Sequence, residues 1–565
     1  MSLTDWIVLL LTLAAMIGYG MYKGRGQDGA NSYLLADRRM PWYVVLLGVM
    51  ATQASAITFL SAPGLAYTDG MRFVQNYFGL PLAMVVICIT FIPVFSRLNV
   101  YTAYEYLEQR FDRRTRLLTS LLFLLSRGLS TGVSIYAPSI ILSSMLGWDI
   151  YLTNIVMGGL LMVYTYTGGA KAVAHTQKLQ FLVILASMAL AGVLVVKQLP
   201  ASIGLDDALY IAGRAGKLNV ITTKFDWHDK YNIWSGLIGG FFLALSYFGT
   251  DHSQVGRYIT ASSTRESRLG LLLNGLVKIP MQFLILLIGV LVFVLYSFRP
   301  APVYFNTGAY ASYQGQEPAK AGGENARYTQ LHERYQQQAV AIADHRKAGN
   351  EAQLGADIAA YKNTQQQMNG LRDSVVKYIA EKGYAPDKND TNYIFLYFVK
   401  NSLPKGLVGL LFAVIILASW GSISAALNSL AASSLMDIHL PGGHPDKRTE
   451  LRLGRLHTLA WSVFCIAVAM FAARMGSLIE AVNILGSLFY GTILGIFLVA
   501  FYMKRVGGKV VFYAAVITEA AIIAIYLADL VSFLWLNVIG ALLVMLLCGI
   551  ATIGRRSPAA GINSN

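Results

Sequence analysis

Residues 48–64 read Gly-Val-Met-Ala-Thr-Gln-Ala-Ser-Ala-Ile-Thr-Phe-Leu-Ser-Ala-Pro-Gly, a run of small and polar residues inside a long apolar stretch. A helix in the bilayer core has to satisfy its own backbone hydrogen bonds, and Thr, Ser, Gly and Pro in mid-span weaken it. The stretch therefore predicts a transmembrane helix that is broken near its middle. Unwound carbonyl groups at such a break are tolerated where they face a cavity instead of lipid.

The rest of the chain also has membrane composition. Of the 565 residues, 55% are hydrophobic and 13% are charged, and the mean hydropathy is +0.51. Apolar stretches of about 20 residues, enough to cross a bilayer, recur along the chain and predict an all-α membrane protein with about 13 spans. Residues 6–22 lack a small-residue cleavage site, so we expect no cleaved signal peptide. The predicted spans are 6–22, 41–66, 72–95, 115–146, 151–167, 179–196, 234–250, 269–298, 406–436, 456–473, 479–503, 510–527 and 533–553.

The formal net charge of +15 is concentrated in alternate connections between these spans. Arg110, Arg113 and Arg114 lie in one of them, whereas Asp206 and Asp207 lie in a connection of the other set. The positive-inside rule then predicts a multi-pass inner-membrane protein with its N-terminus outside and its C-terminus in the cytoplasm. Because the basic excess follows topology, we expect the lipid bilayer as a partner and no nucleic acid.

The cysteine and histidine residues show no pattern typical of a functional site, and no nucleotide-binding motif is found. Cys88, Cys465 and Cys548 lie in predicted spans, and the histidines are scattered without ligand spacing. No disulfide framework, metal centre or organic cofactor is therefore expected. No phosphate loop or nucleophile-base set appears, so an enzyme is not expected either.

One segment, residues 299–395, departs from membrane composition and is rich in Gln, Ala and charged residues. Apolar positions at helical spacing predict two polar helices at 324–347 and 351–382, separated near Gly349. Topology places the segment outside. It is either a helical hairpin that caps the outer face or a solvated spacer with no ligand of its own.

Four motifs follow one another along the chain. They are Tyr101-Thr102-Ala103-Tyr104-Glu105-Tyr106-Leu107-Glu108-Gln109-Arg110-Phe111, Gly168-Gly169-Ala170-Lys171-Ala172-Val173, Tyr247-Phe248-Gly249-Thr250-Asp251 with Arg257-Tyr258, and Leu427-Asn428-Ser429 with Asp437-Ile438. Together they resemble the sodium:solute symporter family. The resemblance implies the leucine-transporter-type fold, with a leading helix, ten core helices in two inverted repeats of five, and two trailing helices. Residues 55–63 and 136–139 look like the branch that moves monocarboxylates, iodide, vitamins and sialic acid more than the sugar branch.

This resemblance divides the chain into five parts. They are a leading helix and cytoplasmic loop (1–40), core helices one to seven (41–298), an extracytoplasmic helical insertion (299–395), core helices eight to ten (396–505), and two trailing helices with a cytoplasmic tail (506–565).

The resemblance also implies Na⁺ as the coupling ion, held between core helices one and eight. Its ligands would be the carbonyl groups of Ala51, Ala54 and Ala418 and the hydroxyl group of Ser422. The alternative is that these small residues only permit close helix packing.

Two positions depart from the family pattern. The family has two adjacent hydroxyl groups on core helix eight, but Gly421 supplies none, unless water, Ser419 or Ser424 substitutes. Gln177 stands where the family commonly has Asp, and Ala425 where some members have a further hydroxyl group. We therefore expect one sodium ion per cycle.

Arg127 lies about 12 residues from the basic end of core helix three, near the midplane, where a charge costs at least about 2.5 kcal/mol. No Asp or Glu is expected in the same half of a nearby span, so we predict that a substrate anion pairs with the guanidinium. The alternative is snorkelling or hydrogen bonding to backbone carbonyls. The polar residues predicted to line the substrate site with it are Gln53, Ser55, Thr58, Gln75, Asn76 and Tyr77.

Two further residues match family positions. Tyr247 corresponds to the inner-gate aromatic residue, and Lys278 to a lysine of core helix seven that adds polarity to the cavity. Plain packing of Tyr247 and snorkelling of Lys278 are the alternatives.

The predicted function is sodium-coupled symport of a small organic solute by alternating access, with an organic anion such as a carboxylate or sialic acid favoured. A proton-coupled or uncoupled transporter is one alternative, and a membrane receptor that binds solute without moving it is another. No obligate protein partner is evident.

Overall fold

The computed structural model describes residues 1–23, 40–98, 102–259, 261–387, 389–440 and 446–553. The side chains of residues 20, 21, 23, 98, 167–175 and 447 lie outside this description, as do Tyr101 and the side chains of the motif at 168–173. Within the described residues every regular element is a helix.

The α-helices are α1 (Leu3–Lys23), α2 (Trp42–Gln53), α3 (Ala56–Asp69), α4 (Leu80–Val86), α5 (Ile92–Leu98), α6 (Glu105–Arg110), α7 (Arg113–Leu146), α8 (Ile150–Lys197), α9 (Leu205–Arg214), α10 (Gly240–Thr250), α11 (His252–Tyr258), α12 (Thr264–Phe298), α13 (Thr307–Gln316), α14 (Pro318–Lys347), α15 (Glu351–Glu381), α16 (Thr391–Ser402), α17 (Leu407–Ser433), α18 (Lys447–Ala469), α19 (Leu478–Tyr502), α20 (Gly508–Leu527) and α21 (Phe533–Thr552). Tighter 3₁₀ turns span Met71–Tyr77 and Ala472–Met475, and wider π turns span Ile87–Phe91, Ser235–Gly239 and Ser434–His439.

The number of spans agrees with the sequence prediction. In the described part of the chain, nine helices are long and apolar enough to cross a bilayer, and the bent pair α2 and α3 makes a tenth. Three shorter apolar helices, Leu3–Tyr19, Ile150–Tyr166 and Ser235–Thr250, complete the thirteen.

Helix α8 differs from the expectation of two spans joined by a loop, because its 48 residues form one helical run. The hydroxyl groups of Tyr164 and Thr176, 12 residues apart, nevertheless lie 3.2 Å from each other. A straight helix would separate them by about 18 Å. The run therefore turns back on itself, and its apolar halves Ile150–Tyr166 and Thr176–Lys197 are separate spans.

Helix α17 is the centre of the bundle. Of its most apolar 18-residue window, 89% of the residues are buried inside the protein. It packs against α1, α7, α8 and α18 and against both halves of the bent pair. A helix that is apolar on all sides needs such complete cover by other helices.

The insertion is a helical hairpin, as predicted. Helices α14 and α15 pack along each other around a turn at Gly349, whose φ is +67°. The rings of Tyr335 and Tyr361 stack at 4.2 Å between them. The hairpin rests on α12 through a hydrogen bond of 2.8 Å between His332 Nε2 and the carbonyl of Tyr296. Val340 is one of the apolar residues at helical spacing in α14, but its side chain is 40% exposed.

We call the end of the bundle that carries this hairpin the insertion end. Helix α12 finishes there at Phe298 and α17 starts nearby at Leu407. The opposite end, where α12 starts and α6 and α11 lie, is called the basic end.

Close packing of α19 on α21 supports a stability prediction. A Cβ atom on Gly491 would lie 2.7 Å from the carbonyl oxygen of Leu536, whereas one on Gly159 would meet nothing within 4 Å. Because backbone cannot move aside, we expect Gly491→Ala to lower the free energy of unfolding by about 1–3 kcal/mol. Thermal unfolding in detergent measures it. Gly159→Ala is the control and should be neutral or stabilising.

Candidate functional site

The broken helix forms one wall of the site. Helices α2 and α3 meet at an angle of 59°. The last hydrogen bond of α2 runs from Ala54 N–H to Met50 O, and the first of α3 runs from Thr58 N–H to Ser55 O. The carbonyl groups of Ala51 and Ala54 therefore lie outside both helical ladders. These are the two carbonyls that the sequence assigned to sodium.

Helix α17 holds the break from the other side. The N–H of Ala56, the first residue of α3, donates to Ser419 Oγ at 3.1 Å. Ser424 Oγ lies 2.7 Å from Thr165 Oγ1 of α8. The two serines considered as substitutes for the missing hydroxyl group thus have other partners. Ser422 donates to the carbonyl of Ser419 at 3.0 Å, which leaves its oxygen lone pairs free to bind a cation.

Two glutamine side chains occupy the space that Gly421 leaves open. A Cβ atom at this glycine would lie 2.9 Å from Gln180 Oε1 and 3.0 Å from Gln177 Cγ. Gln177 is 1% exposed and Gln180 2%. In the described residues, both amide atoms of Gln177 and the Oε1 of Gln180 have no hydrogen-bond partner. Buried amide groups without partners are costly, so this position favours an additional ligand.

A cavity of about 160 Å³, which we call the central cavity, lies beside the break. It is enclosed by helices α2, α3, α7, α10, α12, α17 and α19. It is large enough for a small organic molecule. The structure brings most of the predicted site residues to its wall, namely Gln53, Ser55, Thr58, Asn76, Tyr77, Arg127, Tyr247, Lys278 and Ser422. Ala51, Ala54 and Ala418 are buried behind them, 6%, 1% and 6% exposed.

Gln75 is the predicted substrate residue that the structure does not bring to the cavity. Its side chain is fully buried. Its Nε2 donates to the carbonyl of Tyr231 at 2.9 Å, and its Oε1 accepts from the N–H of Thr222 at 3.1 Å. The amide therefore anchors the connection before α10. On a 3₁₀ turn, the neighbours Asn76 and Tyr77 point elsewhere and line the cavity.

Arg127 reaches the cavity from α7. The carboxylate that acts on it electrostatically is that of Asp251, which follows α10 and lies one residue beyond the predicted span 234–250. Tyr490 donates from its hydroxyl group to Asp251 Oδ2 at 2.7 Å. The Tyr247 ring centroid lies 6.0 Å from the guanidinium carbon. Because Arg127 Nε has no partner in the described residues, the guanidinium keeps a donor for a ligand.

Lys278 approaches the same cavity from α12. It is 2% exposed, and its Nζ lies 5.5 Å from the centroid of the Tyr77 ring. No Asp or Glu occurs among the described residues that line the cavity. The wall therefore presents two cationic side chains and one distant countercharge, Asp251.

Tyr247 closes the cavity toward the basic end. Its hydroxyl group accepts a hydrogen bond of 2.6 Å from Gln254 Nε2, and its ring lies 5.9 Å from that of Tyr490. This position is compatible with a gate.

Several lining residues were missed by the sequence analysis. Ser130, Thr131 and Ser134 follow Arg127 at helical spacing along one face of α7. Four polar residues at positions i, i+3, i+4 and i+7 inside a span are a signal that sequence reasoning can detect. Asn483 and Tyr490 on α19 and Thr52 on α2 line the cavity as well.

A buried ionic network closes the basic end. Asp437, fully buried after α17, accepts hydrogen bonds from Arg116 Nη2 at 2.7 Å and Nε at 2.9 Å. Thr102, Ser120 and Ser433 donate to the same carboxylate. Three parts of the chain, the loop before α6, the start of α7 and the end of α17, are thus joined at one side chain.

A broken helix facing a closed intramembrane cavity defines a membrane transporter rather than an enzyme. The family model of the sodium:solute symporter family matches residues 33–319 and 373–518, and the chain belongs to this family. Its transported partners are therefore sodium and a solute. The prediction of the family from four motifs is confirmed.

Curated relatives are symporters of several solutes. The sodium-dependent multivitamin transporter of Oryctolagus cuniculus is 26% identical over 97% of this chain and 72% of its own length. The sodium/sialic acid symporter NanT of Aliivibrio fischeri is 24% identical over 96% and 91%. The human sodium/iodide cotransporter is 33% identical over 48% of this chain and 42% of its own length.

A solved structure confirms the fold. It is a Na⁺-coupled sialic acid symporter in a substrate-bound outward-open state, 22% identical, with a TM-score of 0.74 over 98% of this chain and 99% of that one. The expected leucine-transporter-type architecture is therefore correct.

Proposed function

We propose that this protein moves a small organic anion, of the carboxylate or sialic acid type, together with Na⁺. The observation that carries the proposal is the charge of the central cavity. Arg127 and Lys278 face it from α7 and α12, and no carboxylate lines it among the described residues. A guanidinium and an ammonium group at the wall of a buried cavity favour a bound carboxylate over a neutral solute.

Sodium would bind at the break, between core helices one and eight. The carbonyl groups of Ala51, Ala54 and Ala418 and the hydroxyl group of Ser422 would supply four oxygen ligands. Gln180 Oε1 lies 2.9 Å from the position that a Cβ on residue 421 would take, and it would supply a fifth. Gln177 is neutral, so the space beside it lacks the negative charge that would favour a second cation. We therefore expect one sodium ion per transport cycle.

The orientation of the protein in the membrane follows from the distribution of basic residues between its two ends. The basic connections place the basic end in the cytoplasm, with the N-terminus and the insertion outside. Sodium and solute would enter from the insertion end, and both would stabilise the same conformation of the broken helix. Opening of the network around Asp437 would then release them inward.

The relatives support the choice of solute. Sialic acid symporters from Aliivibrio fischeri and Proteus mirabilis match this chain over 96% of its length. Human sodium-coupled monocarboxylate transporter 1 matches over 87%. All three relatives are named as sodium-coupled transporters of a carboxylate.

Uptake into proteoliposomes tests the proposal. Labelled N-acetylneuraminate and labelled short monocarboxylates are supplied with an inward gradient of sodium, or with choline in its place. We expect uptake of at least one of these anions, dependent on sodium. Equal uptake in choline would contradict sodium coupling and indicate a proton-coupled or uncoupled transporter. Binding without uptake would indicate a receptor.

The cationic wall makes a quantitative prediction. Lys278→Met removes a hydrogen bond to an ionised ligand, which is worth about 1.5–3 kcal/mol. We expect KM for the anion to rise by about 10-fold to 150-fold with little change in KM for sodium. Lys504→Met, at an exposed lysine of the basic end, is the matched control. An unchanged KM in Lys278→Met would refute the role of this lysine.

A further inference from the structure

A second cavity lies at the insertion end, between the bundle and the hairpin of α14 and α15. Its volume is about 180 Å³. Tyr67 and Thr68, at the end of α3, form part of its floor, and Tyr328, Gln365 and Asn369 form part of its roof. We call it the outer cavity.

The roof of the outer cavity lies outside the part of the chain that the family model matches. The family match ends at residue 319 and resumes at residue 373. Tyr328, Gln365 and Asn369 all lie in the unmatched segment. The sequence analysis left open whether the insertion is a cap or a spacer without a ligand, and a cavity lined by its inner face favours a cap with a function.

Lys217 gives the outer cavity a cationic wall. It is 8% exposed, its Nζ donates to the carbonyl of Thr68, and it lies 5.0 Å from the centroid of the Phe293 ring. Within the described residues this ammonium group forms no salt bridge, and Asp69 acts on it only electrostatically. One carboxylate, that of the exposed Asp373, also lines the cavity. A buried ammonium group without an ion pair is a site for an anion.

The other polar groups of the wall suit a hydroxylated ligand. The buried hydroxyl groups of Tyr296 and Tyr335 lie beside other hydroxyl groups, that of Tyr296 near Ser402 and that of Tyr335 near Tyr361 and Ser297. Arg372 is ion-paired with Asp390, and its Nε has no partner within the described residues. Tyrosine rings provide flat apolar surface for the C–H face of a sugar ring, while hydroxyl groups and guanidinium bind its oxygens.

We propose that the outer cavity is a second binding site, which takes a small hydroxylated carboxylate such as a sugar acid. The choice of ligand rests on the proposed function, whereas the site itself rests on the buried ammonium group of Lys217 and on Arg372 Nε, which has no partner in the described residues. Its floor is the end of α3, whose start lines the central cavity. A solute bound there contacts the helix that shapes the transport site.

Calorimetric titration of the full-length protein in detergent, with N-acetylneuraminate and saturating sodium, tests the site. The variant Arg127→Gln/Lys278→Met removes the central cations. We expect it to keep one binding site, and we expect the further change Lys217→Met to weaken that site by at least tenfold. Lys362→Met, at an exposed lysine of α15, is the matched control.

The outcomes separate the two proposals. If the wild type binds one molecule and the central variant binds none, the outer site is refuted and the proposed function stands. If the central variant binds and Lys217→Met leaves the affinity unchanged, the outer site is also refuted. Gln365→Leu, a change in a partly exposed side chain that leaves the fold intact, should weaken binding several-fold and separates loss of a contact from unfolding.

The affinity of the outer site should also fall with rising pH. Burial lowers the pKa of Lys217 to about 8, with Arg372 acting in the same direction and Asp69 against it. The pKa of Tyr328 is raised to about 12 and that of His332 is lowered, so neither changes charge between pH 7 and pH 9. The ammonium group is lost over this interval, and we expect about tenfold weaker binding in the central variant. A flat profile would contradict the role of Lys217.

Discussion

Replacing Asp437 by Asn is expected to lower the initial rate of sodium-driven uptake by at least about tenfold. The carboxylate accepts two hydrogen bonds from Arg116 and one each from Thr102, Ser120 and Ser433. Breaking a buried ion pair by removing one partner costs about 3–5 kcal/mol. The substitution therefore destabilises the conformation in which the basic end is closed.

The uptake rate would fall because fewer molecules adopt the conformation in which the basic end is closed. A ligand that binds one conformation has an apparent Kd that rises as the population of that conformation falls. We therefore expect the apparent affinity for sodium to drop together with the rate. Arg116 retains Glu108, whose Oε2 lies 2.6 Å from Nη1, so the protein should still fold.

Uptake rate and sodium titration in proteoliposomes measure the effect. Asp446→Asn is the matched control, because Asp446 is exposed and caps α18 through the N–H groups of Arg448 and Thr449. Asn is as good an N-cap as Asp, so this control should behave as the wild type. Normal transport by Asp437→Asn would show that the network is not part of the gate.

Replacing Gln180 by Ala is expected to raise the sodium concentration for half-maximal uptake by about 10-fold to 150-fold. The reason is the loss of the amide oxygen that lies at the open position beside Gly421. One oxygen ligand to a charged partner is worth about 1.5–3 kcal/mol, and about 1.4 kcal/mol corresponds to a factor of ten.

A second substitution makes this test specific. In the Gln180→Ala background, the remaining close contact of a Cβ at residue 421 is with Gln177 Cγ at 3.0 Å, which a small shift of that flexible side chain relieves. Gly421→Ser then returns a hydroxyl group to the position, so sodium affinity should recover. In the wild type, the new Cβ would lie 2.9 Å from Gln180 Oε1, and the same change should weaken sodium binding. A double-mutant cycle then yields a coupling free energy between the two residues.

The control for Gln180→Ala is Gln282→Ala on α12, a fully buried glutamine whose amide atoms also lack partners in the described residues. It removes the same atoms from a different place. Equal sodium affinity in Gln180→Ala and Gln282→Ala would mean that Gln180 is not a ligand.

The sequence by itself determined the features that depend on neighbouring residues. The thirteen spans follow from local hydropathy, and the break between Gln53 and Ala56 follows from a local run of small and polar residues. The hairpin at 318–381 follows from the helical spacing of its apolar residues. Arg127 could be singled out because an arginine in mid-span is costly wherever it lies.

Only the tertiary structure decided which distant residues meet. Asp251 lies 239 positions from Tyr490, which donates a hydrogen bond to it, and Gln180 lies 241 positions from Gly421. No local pattern reports such a contact, because it depends on how helices pack and not on the period of one helix. The same reason explains Gln75, whose polarity suggested a ligand although packing turned its amide toward Tyr231 and Thr222.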